Sequence, residues 1–589
     1  MLRTLLISCV CVSLLGCQRA ADAPAPAPDA DARVLGMADA FVSAYLDQYP
    51  EQATYLGVPN RTHARLTDNS LPALTSWRER EDRWLAELGT IDASTVRSAA
   101  TRATLAILRE TLEASVGARP CRTELWGVSQ MQGWHVQLGY LVTVQPVGNE
   151  AARQEALARW GRLPAYIDTD IANLREGMRR GYTAPNGSVR IVIDQIRSLA
   201  NTPLSSSPFS SPASRDEDPA FKKAFEALVT AQIVPAMNRY VDFLETEYLP
   251  AAREAPAVSA NPDGPACYQA SIRFWSSVAK TPNEVHEVGL REMERLTREM
   301  QEIGRRSFGT SDVGALMRRF RTERRFLFKS REELIDYSRA ALERAKAAAP
   351  KFFGTLPKSD VRLEPYPAFR EKNAPNEYNP PAEDGSRPGL FYVSAYQAGK
   401  RSRTEIESIA FHETIPGHHL QNALSIENKA IHPIGRYVGS SGFGEGWGLY
   451  AERLADEMGL YSSDLDRMGM LSGQAFRASR LVVDTGLHAL GWTRERAIDY
   501  MQASSPQTRE AIASEVDRYI ILPGQATAYM LGRLEIQAAR DEAQQTQGAA
   551  FDVRAFHDRV LEDGAVPLAF LREKIRASST ALSSTARAR

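Results

Sequence analysis

Ile409-Ala-Phe-His412-Glu413-Thr-Ile-Pro416-Gly417-His418-His419-Leu-Gln421 is the stretch on which the reading of this chain turns. It sets three His and one Glu within eight residues, in a chain with only nine His. That density of ligating side chains points to a metal site rather than to packing. Zinc hydrolases commonly carry H-E-x-x-H on a helix, with both His on one face and the Glu directed at the ion's water. Here position 416 is Pro, and the next His residues are His418 and His419. On a straight helix six residues turn about 600° and rise about 9 Å, and seven restore the face but add about 10 Å. Neither pair could then hold one ion at bonds near ~2.1 Å. The helix is therefore expected to break at Pro416-Gly417, where Pro removes a backbone donor and Gly accepts unusual dihedrals. The motif reads H-E-x-x-(Pro-Gly)-H, with His412 and either His418 or His419 as ligands and Glu413 as general base.

A third ligand is expected on a later helix. Ser440–Leu454 reads S-S-G-F-G-E-G-W-G-L-Y-A-E-R-L and offers Glu445 at a helix start, 27 residues after His418. Glu452 lies seven residues further, on the same face. It can orient a ligand His from outside the ligand set, or it can be a solvated acid beside an Arg. Asp484 and His488, in D-T-G-L-H, share a helix face. They line a channel as a polar pair or form a buried structural pair.

Working outward, apolar residues recur at three- and four-residue spacing over Pro219–Tyr248, Pro282–Arg305, Arg331–Ala349, Thr404–Leu424, Gly444–Glu457 and Asp464–Leu490. Thr281-Pro282-Asn283-Glu284 has the form of a helix start. Strand patterns are few: Gly389–Tyr396, with Phe391, Val393 and Ala395 on one face, and Asp360–Pro365. Pro365–Pro388, dense in Pro, Asn and Gly, reads as loop. Ser205–Asp218 is the candidate internal excursion. There is no internal repeat and no glycine-rich phosphate loop. The fold class is mainly α.

The start of the chain is basic, and Leu5–Leu15 is apolar but too short to span a bilayer, as in a signal peptide over residues 1–16. Leu14-Leu15-Gly16-Cys17 resembles the lipobox of bacterial lipoproteins, which implies acylation of Cys17 and a membrane anchor. Gln18 after that cysteine implies the outer membrane, facing the periplasm. Residues 17–33, rich in Ala, Pro and Asp, read as a semi-extended tether. The body follows at 34–577, and 578–589 reads as a disordered tail. Net charge is −1, with 43% hydrophobic and 24% charged residues. That balance argues against nucleic acid or an anionic membrane surface as the main partner. Of five cysteines, Cys9 and Cys11 leave with the signal, and Cys121 and Cys267 remain besides Cys17. In an oxidising compartment two thiols suggest one disulfide; two separate buried thiols are the alternative.

The segments H-E-T-I-P-G-H-H-L-Q, E-G-W-G-L-Y-A-E, V-V-D-T-G-L-H-A-L-G-W-T and R-Y-I-I-L-P-G-Q-A-T-A-Y resemble a bacterial lipoprotein family known as domain of unknown function 885. That family is distantly similar to thimet oligopeptidase, angiotensin-converting enzyme and carboxypeptidase Taq. The resemblance implies a helical two-lobed clamshell around a deep channel, with a small sheet beside the metal helix and lobes near 34–280 and 281–577. It also implies one Zn²⁺ on His412, His418 and Glu445. The relatives' run of ligand His, small residue and Leu favours His418 as ligand, which leaves His419 beside the site with Glu452 and Asp484. Relatives stabilise the oxyanion with Tyr and His on a later helix; Tyr519 and Tyr529 are the matching candidates, with buried packing residues as the alternative, and His488 is counted with them as a catalytic candidate, while Tyr392, Ser394 and Tyr396 lie on the edge strand expected to hold substrate extended. The implied activity is zinc-dependent hydrolysis of oligopeptides by a metal-activated water with Glu413 as base. The alternatives are hydrolysis of a non-protein or cell-wall amide, and a non-catalytic envelope binding protein. Oligomeric state is not encoded in these motifs.

Overall fold

A computed structural model describes residues 29–366, 371, 376–383, 385 and 387–587. Cys17, the signal segment 1–16 and the tether up to residue 28 lie outside the described residues. Helix makes up 71% of the structure. Where the sequence predicts helices, local chemistry starts and stops them. Thr281 and Glu284 form a reciprocal capping box at the start of the helix Pro282–Phe308, and Gly309, at φ 72°, ends it. Ser463 caps Asp464–Ala489, and Ser440 caps Ser441–Glu457. The Pro219–Tyr248 segment is helical throughout, with two π-helical turns at Val229–Ile233 and Leu244–Tyr248.

Four expectations are corrected. The first helix begins at Ala30, with Asp29 accepting from the Ala32 amide, so Ala30–Arg33 belong to the body and not to the tether. The last helix continues to Arg587, and Gln547 donates to the buried Ser579 at 2.9 Å, so residues past 577 are not all tail. Ser205–Asp218 is no excursion. Phe209 and Ala213 are buried there, and Phe209 meets the Trp160 ring edge-on at 5.7 Å. Nor does the core divide at residue 280. One apolar cluster joins Val34–Leu112 to Phe328–Ile575, and another joins Cys121–Phe326 to side chains of Leu449–Leu531.

The sheet has three strands in the order β1 (Val361–Pro365), β3 (Gly389–Val393), β2 (Glu377–Asn379). β3 pairs parallel with β1 and antiparallel with β2. Its inward residues Phe391 and Val393 are buried. The strand expected to hold substrate is therefore central, because Glu377–Asn379, inside the segment read as loop, covers its other side.

Cys121 and Cys267 form a disulfide, with Cα atoms 4.5 Å apart and a sequence separation of 146. It ties the turn after the helix Ala99–Gly117 to the helix Gly264–Ser276. A loop of this length restricts the unfolded chain strongly. Replacing both cysteines by Ser should lower unfolding free energy by about 2–4 kcal/mol. Denaturant titration of the two proteins measures this, and an unchanged midpoint would refute it.

Candidate metal centre

The helix Ile406–Glu413 ends directly after His412 and Glu413. Thr414 (φ −115°, ψ −108°) and Gly417 (φ −84°, ψ −129°) leave helical geometry, the Ile415–Pro416 peptide is cis, and a new helix runs His418–Glu427. The turn is held from both sides. The Thr414 carbonyl accepts from the amides of His419 (3.1 Å) and Leu420 (3.3 Å). The Trp447 indole, fully buried, donates to the Pro416 carbonyl at 2.9 Å. The break brings the His412 and His418 rings to 4.6 Å between centroids, nearly perpendicular at 85°.

Glu445 closes the cluster from the helix Ser441–Glu457. Its Oε2 lies 3.6 Å from His412 Nε2 and 3.7 Å from His418 Nε2. Ligand atoms of the three residues all fall within 4.8 Å of one another, and no other His/Cys/Asp/Glu trio among the described residues does so. Tetrahedral Zn²⁺ with bonds of 2.0–2.1 Å sets its ligand atoms about 3.4 Å apart. Two nitrogens and a carboxylate oxygen at these separations fit such an ion.

The same helix builds most of the support. Gly446 lets it cross the helix Ala528–Gln547 at backbone contact; a Cβ there would stand 2.5 Å from the Gly532 carbonyl carbon. Glu452, buried, accepts from His412 Nδ1 at 2.9 Å, and its other oxygen accepts from Gln474 at 2.8 Å. That bond fixes Nδ1 as a donor and turns Nε2 toward Glu445 and His418. Burial opposes a charged His412, but Glu445 and Glu452 outweigh it and hold its pKa up to about 10. Burial likewise would raise Glu445, yet the two imidazoles keep it well below the usual carboxylate range. The cluster is thus arranged around a positive charge. Glu413 is raised by burial, partly offset by His412 and His418, which suits a base.

Gly448 lies flat against the His412 ring, and a Cβ there would be 2.5 Å from Cε1 and 2.7 Å from Nε2. Gly448→Ala is expected to push the imidazole aside and weaken Zn²⁺ binding by about 10- to 100-fold, as outer contacts to ligands commonly do. Competition against a chromophoric chelator reads this directly; unchanged affinity would refute the packing argument.

Other residues singled out in the sequence have different surroundings. His419 does not join the cluster. Its Nε2 donates to the Ser359 carbonyl (3.0 Å) and its Nδ1 meets the Tyr378 hydroxyl (3.1 Å), so it ties this helix to the sheet. Burial lowers its pKa to about 4. His488 is fully buried, with Nδ1 accepting from the Val258 amide (3.0 Å) and Nε2 donating to the Tyr519 carbonyl (3.0 Å). Both ring nitrogens are thus engaged within the protein, away from the cluster of His412, His418 and Glu445. Asp484 accepts from Tyr268 (2.6 Å) and the Gly524 amide (3.0 Å), and burial pushes it up to about 7.

The Tyr519 hydroxyl is engaged by Arg480 (2.9 Å) and Glu515 (2.8 Å). Tyr529, partly buried, is raised by burial and then by the Glu445 charge, which places it in the field of the cluster. Its ring lies 4.6 Å from the Arg480 guanidinium carbon. On β3, Tyr392 stacks on Tyr366 at 5.1 Å. Ser394 is buried, and its amide, hydroxyl and carbonyl are taken by Asn376, Glu371 and Arg401. Tyr396 is exposed and accepts from Gln397 at 3.2 Å. Tyr392 belongs to the central strand, Ser394 and Tyr396 lie past its end at Val393, and β1 and β2 are the outer strands.

The roles of Gln474, Trp447 and Gly448 are not part of the sequence reading. Gln474 had a signal: Gln474, Arg477, Arg480, Asp484 and His488 form a polar stripe at three- and four-residue spacing along one helix.

Two solved structures share this architecture. A candidate lipoprotein from Colwellia psychrerythraea superposes with a TM-score of 0.84 at 25% identity, covering 94% of this chain and 99% of that one. A candidate lipoprotein of unknown function from Shewanella oneidensis superposes with a TM-score of 0.74 at 17% identity, covering 92% and 99%. No curated protein matches. The family described as bacterial protein of unknown function (DUF885) matches residues 50–575, and the chain belongs to that family.

Proposed function

We propose that this protein is a lipid-anchored zinc peptidase of the cell envelope, acting on oligopeptides. The observation that carries the reading is the convergence of His412, His418 and Glu445, with Glu413 next to the first ligand. A site meant only to bind an ion has no need of that additional carboxylate. A divalent ion held by the three ligands would supply Lewis acidity and acidify water. Glu413 takes the proton of the attacking water and passes it to the leaving amine. Tyr529 donates a hydrogen bond to the developing oxyanion. Glu452 and Gln474 keep His412 in one tautomer and one orientation throughout. The β2 edge, with Tyr378 beside His419, supports an extended substrate backbone.

The anchor rests on Leu14-Leu15-Gly16-Cys17 and on the lipoprotein descriptions of the two similar structures. No helix among the described residues is long and apolar enough to cross a membrane. Gln18 favours the outer membrane, facing the periplasm.

Zinc-loaded protein incubated with a defined peptide library, read by mass spectrometry, tests the activity. Cleavage that depends on zinc and on Glu413 is expected. Stoichiometric zinc with every peptide intact would sink the peptidase reading.

A further inference from the structure

A cavity of about 630 Å³ lies among the helices Leu71–Leu88, Leu163–Arg179 and Gly264–Ser276. Most charges on its walls are matched. Arg78 pairs with Glu124 at 2.9 Å, Arg122 meets the same carboxylate at 3.9 Å, and Arg119 pairs with Glu81 at 3.2 Å. Glu81 also takes the Trp77 indole and the Ser115 hydroxyl.

Asp170, on the same walls, forms no ion pair among the described residues. Its Oδ2 accepts from a neutral donor, the Tyr240 hydroxyl, at 2.8 Å. Burial pushes its pKa up to about 6, and the Tyr240 bond opposes that rise. At neutral pH the group is still mainly ionised, and a carboxylate held away from bulk water without a cation is costly.

Tyr166, Asp170 and Asn173 stand three and four residues apart on the helix Leu163–Arg179, and all three line the cavity. Asn173 Nδ2 donates to the Asn69 carbonyl at 2.8 Å, which leaves Oδ1 as the free end of that side chain. No described residue donates to that oxygen or to Asp170 Oδ1. Two unused acceptors thus lie one helical turn apart.

The walls suit a cation with an apolar stem. Trp77, Trp126, Trp134 and Tyr166 line the same cavity. Trp134 meets the Tyr240 ring edge-on at 5.4 Å, beside the hydroxyl that bonds Asp170. Aromatic faces attract ammonium and guanidinium groups. A divalent metal ion takes several oxygen ligands, commonly more than one carboxylate, and Asp170 is the one unmatched carboxylate here.

A second cavity, of about 790 Å³, shares Tyr49, Trp77, Gln132 and Trp275 with the first and extends to Ser440 and Ser441. Ser441 stands one turn before Glu445 on the same helix face. The adjoining cavities thus run from Asp170 to the start of the helix that carries Glu445.

We propose that Asp170 and Asn173 bind an organic cation in this chamber, the alkylammonium or guanidinium group of a peptide. The inference goes beyond the peptidase reading, because binding at Asp170 needs neither a metal ion nor Glu413.

The test uses three peptides: N-acetyl-Ala-Lys-Ala amide, N-acetyl-Ala-norleucine-Ala amide, and Ala-norleucine-Ala amide with a free amino terminus. The first and third carry one cation each, on the side chain or at the chain end, and the second carries none. Binding to the full-length protein is measured by calorimetry and by tryptophan fluorescence, with and without zinc. A cationic peptide should bind about 10- to 100-fold more tightly than the neutral one. Which of the two does so assigns the site to a side chain or to an amino terminus. Asp170→Asn should abolish the preference while leaving binding of the neutral peptide unchanged. Its amide oxygen can still accept from Tyr240, so the fold is kept, and Asp170→Glu should retain part of the preference. Equal affinity for all three peptides in the wild-type protein, or a preference that survives Asp170→Asn, would overturn the site. Hydrolysis plays no part in this readout, so uncut peptides count against the peptidase reading alone.

Discussion

Glu413→Gln is expected to cut peptide turnover by about 10²–10⁴-fold while leaving zinc content at one ion per chain. The two halves of this expectation come from different contacts. Glu413 follows His412 at the end of its helix, but the ligand atoms belong to His412, His418 and Glu445. His412 is oriented by Glu452 and the turn by Trp447, neither of which involves Glu413. Removing the carboxylate charge therefore removes the base and spares the ligands. The substitution also removes a buried group whose pKa is raised, so folding stability should not fall and can rise slightly at neutral pH. Single-turnover rates on a peptide that the wild type cleaves, with metal analysis of both proteins, measure the effect. Turnover that survives the substitution would exclude Glu413 as base. Loss of zinc together with turnover would show that the side chain supports the ligands instead.

How much of this was legible in the sequence depends on the range of the interaction that decides each feature. Caps and apolar spacing are local, so the helices at Pro282, Arg331 and Asp464 are readable within a residue or so at their starts. The break at Pro416-Gly417 is readable because a straight helix cannot bring His412 and His418 together. That His419 turns to the sheet is not readable. Adjacent His residues on a new helix differ by about 100° in direction, and only the position of Ser359 and Tyr378 decides which faces the cluster. The same limit applies to β2, three residues long in a stretch rich in Pro and Asn, whose strand geometry comes from its pairing with β3. His488 and Asp484 show the limit again. Spacing puts them on one face, but the neighbours of that face, Val258, Tyr268 and Tyr519, arrive from distant segments.

Glu445→Ala should lower zinc affinity by about 10³-fold, the second large effect. Zinc bound by a few protein ligands gains roughly 10–16 kcal/mol in favourable cases, so each ligand carries several kcal/mol. The fold should survive the change. Glu445 is partly exposed, and its polar contacts are His412 and His418, whereas the helix that carries it is fixed by the Gly446–Gly532 crossing, the Trp447 indole and Glu452. Melting temperature without zinc should therefore stay close to that of the wild type. With zinc the two proteins should separate: the wild type gains stability as the logarithm of zinc concentration over its dissociation constant, and the variant gains little at the same concentration. Thermal melts across a zinc titration, with metal content after dialysis, distinguish this from general damage. Equal zinc-dependent shifts in both proteins would remove Glu445 from the ligand set and with it the chemistry assigned to the site. A collapse of the variant even without zinc would instead mean that the carboxylate holds the two imidazoles for structural reasons. The high pKa of His412 and the low one of Glu445 leave that possibility open to measurement, since an ion pair in that place would stabilise the metal-free protein only while His412 keeps its proton.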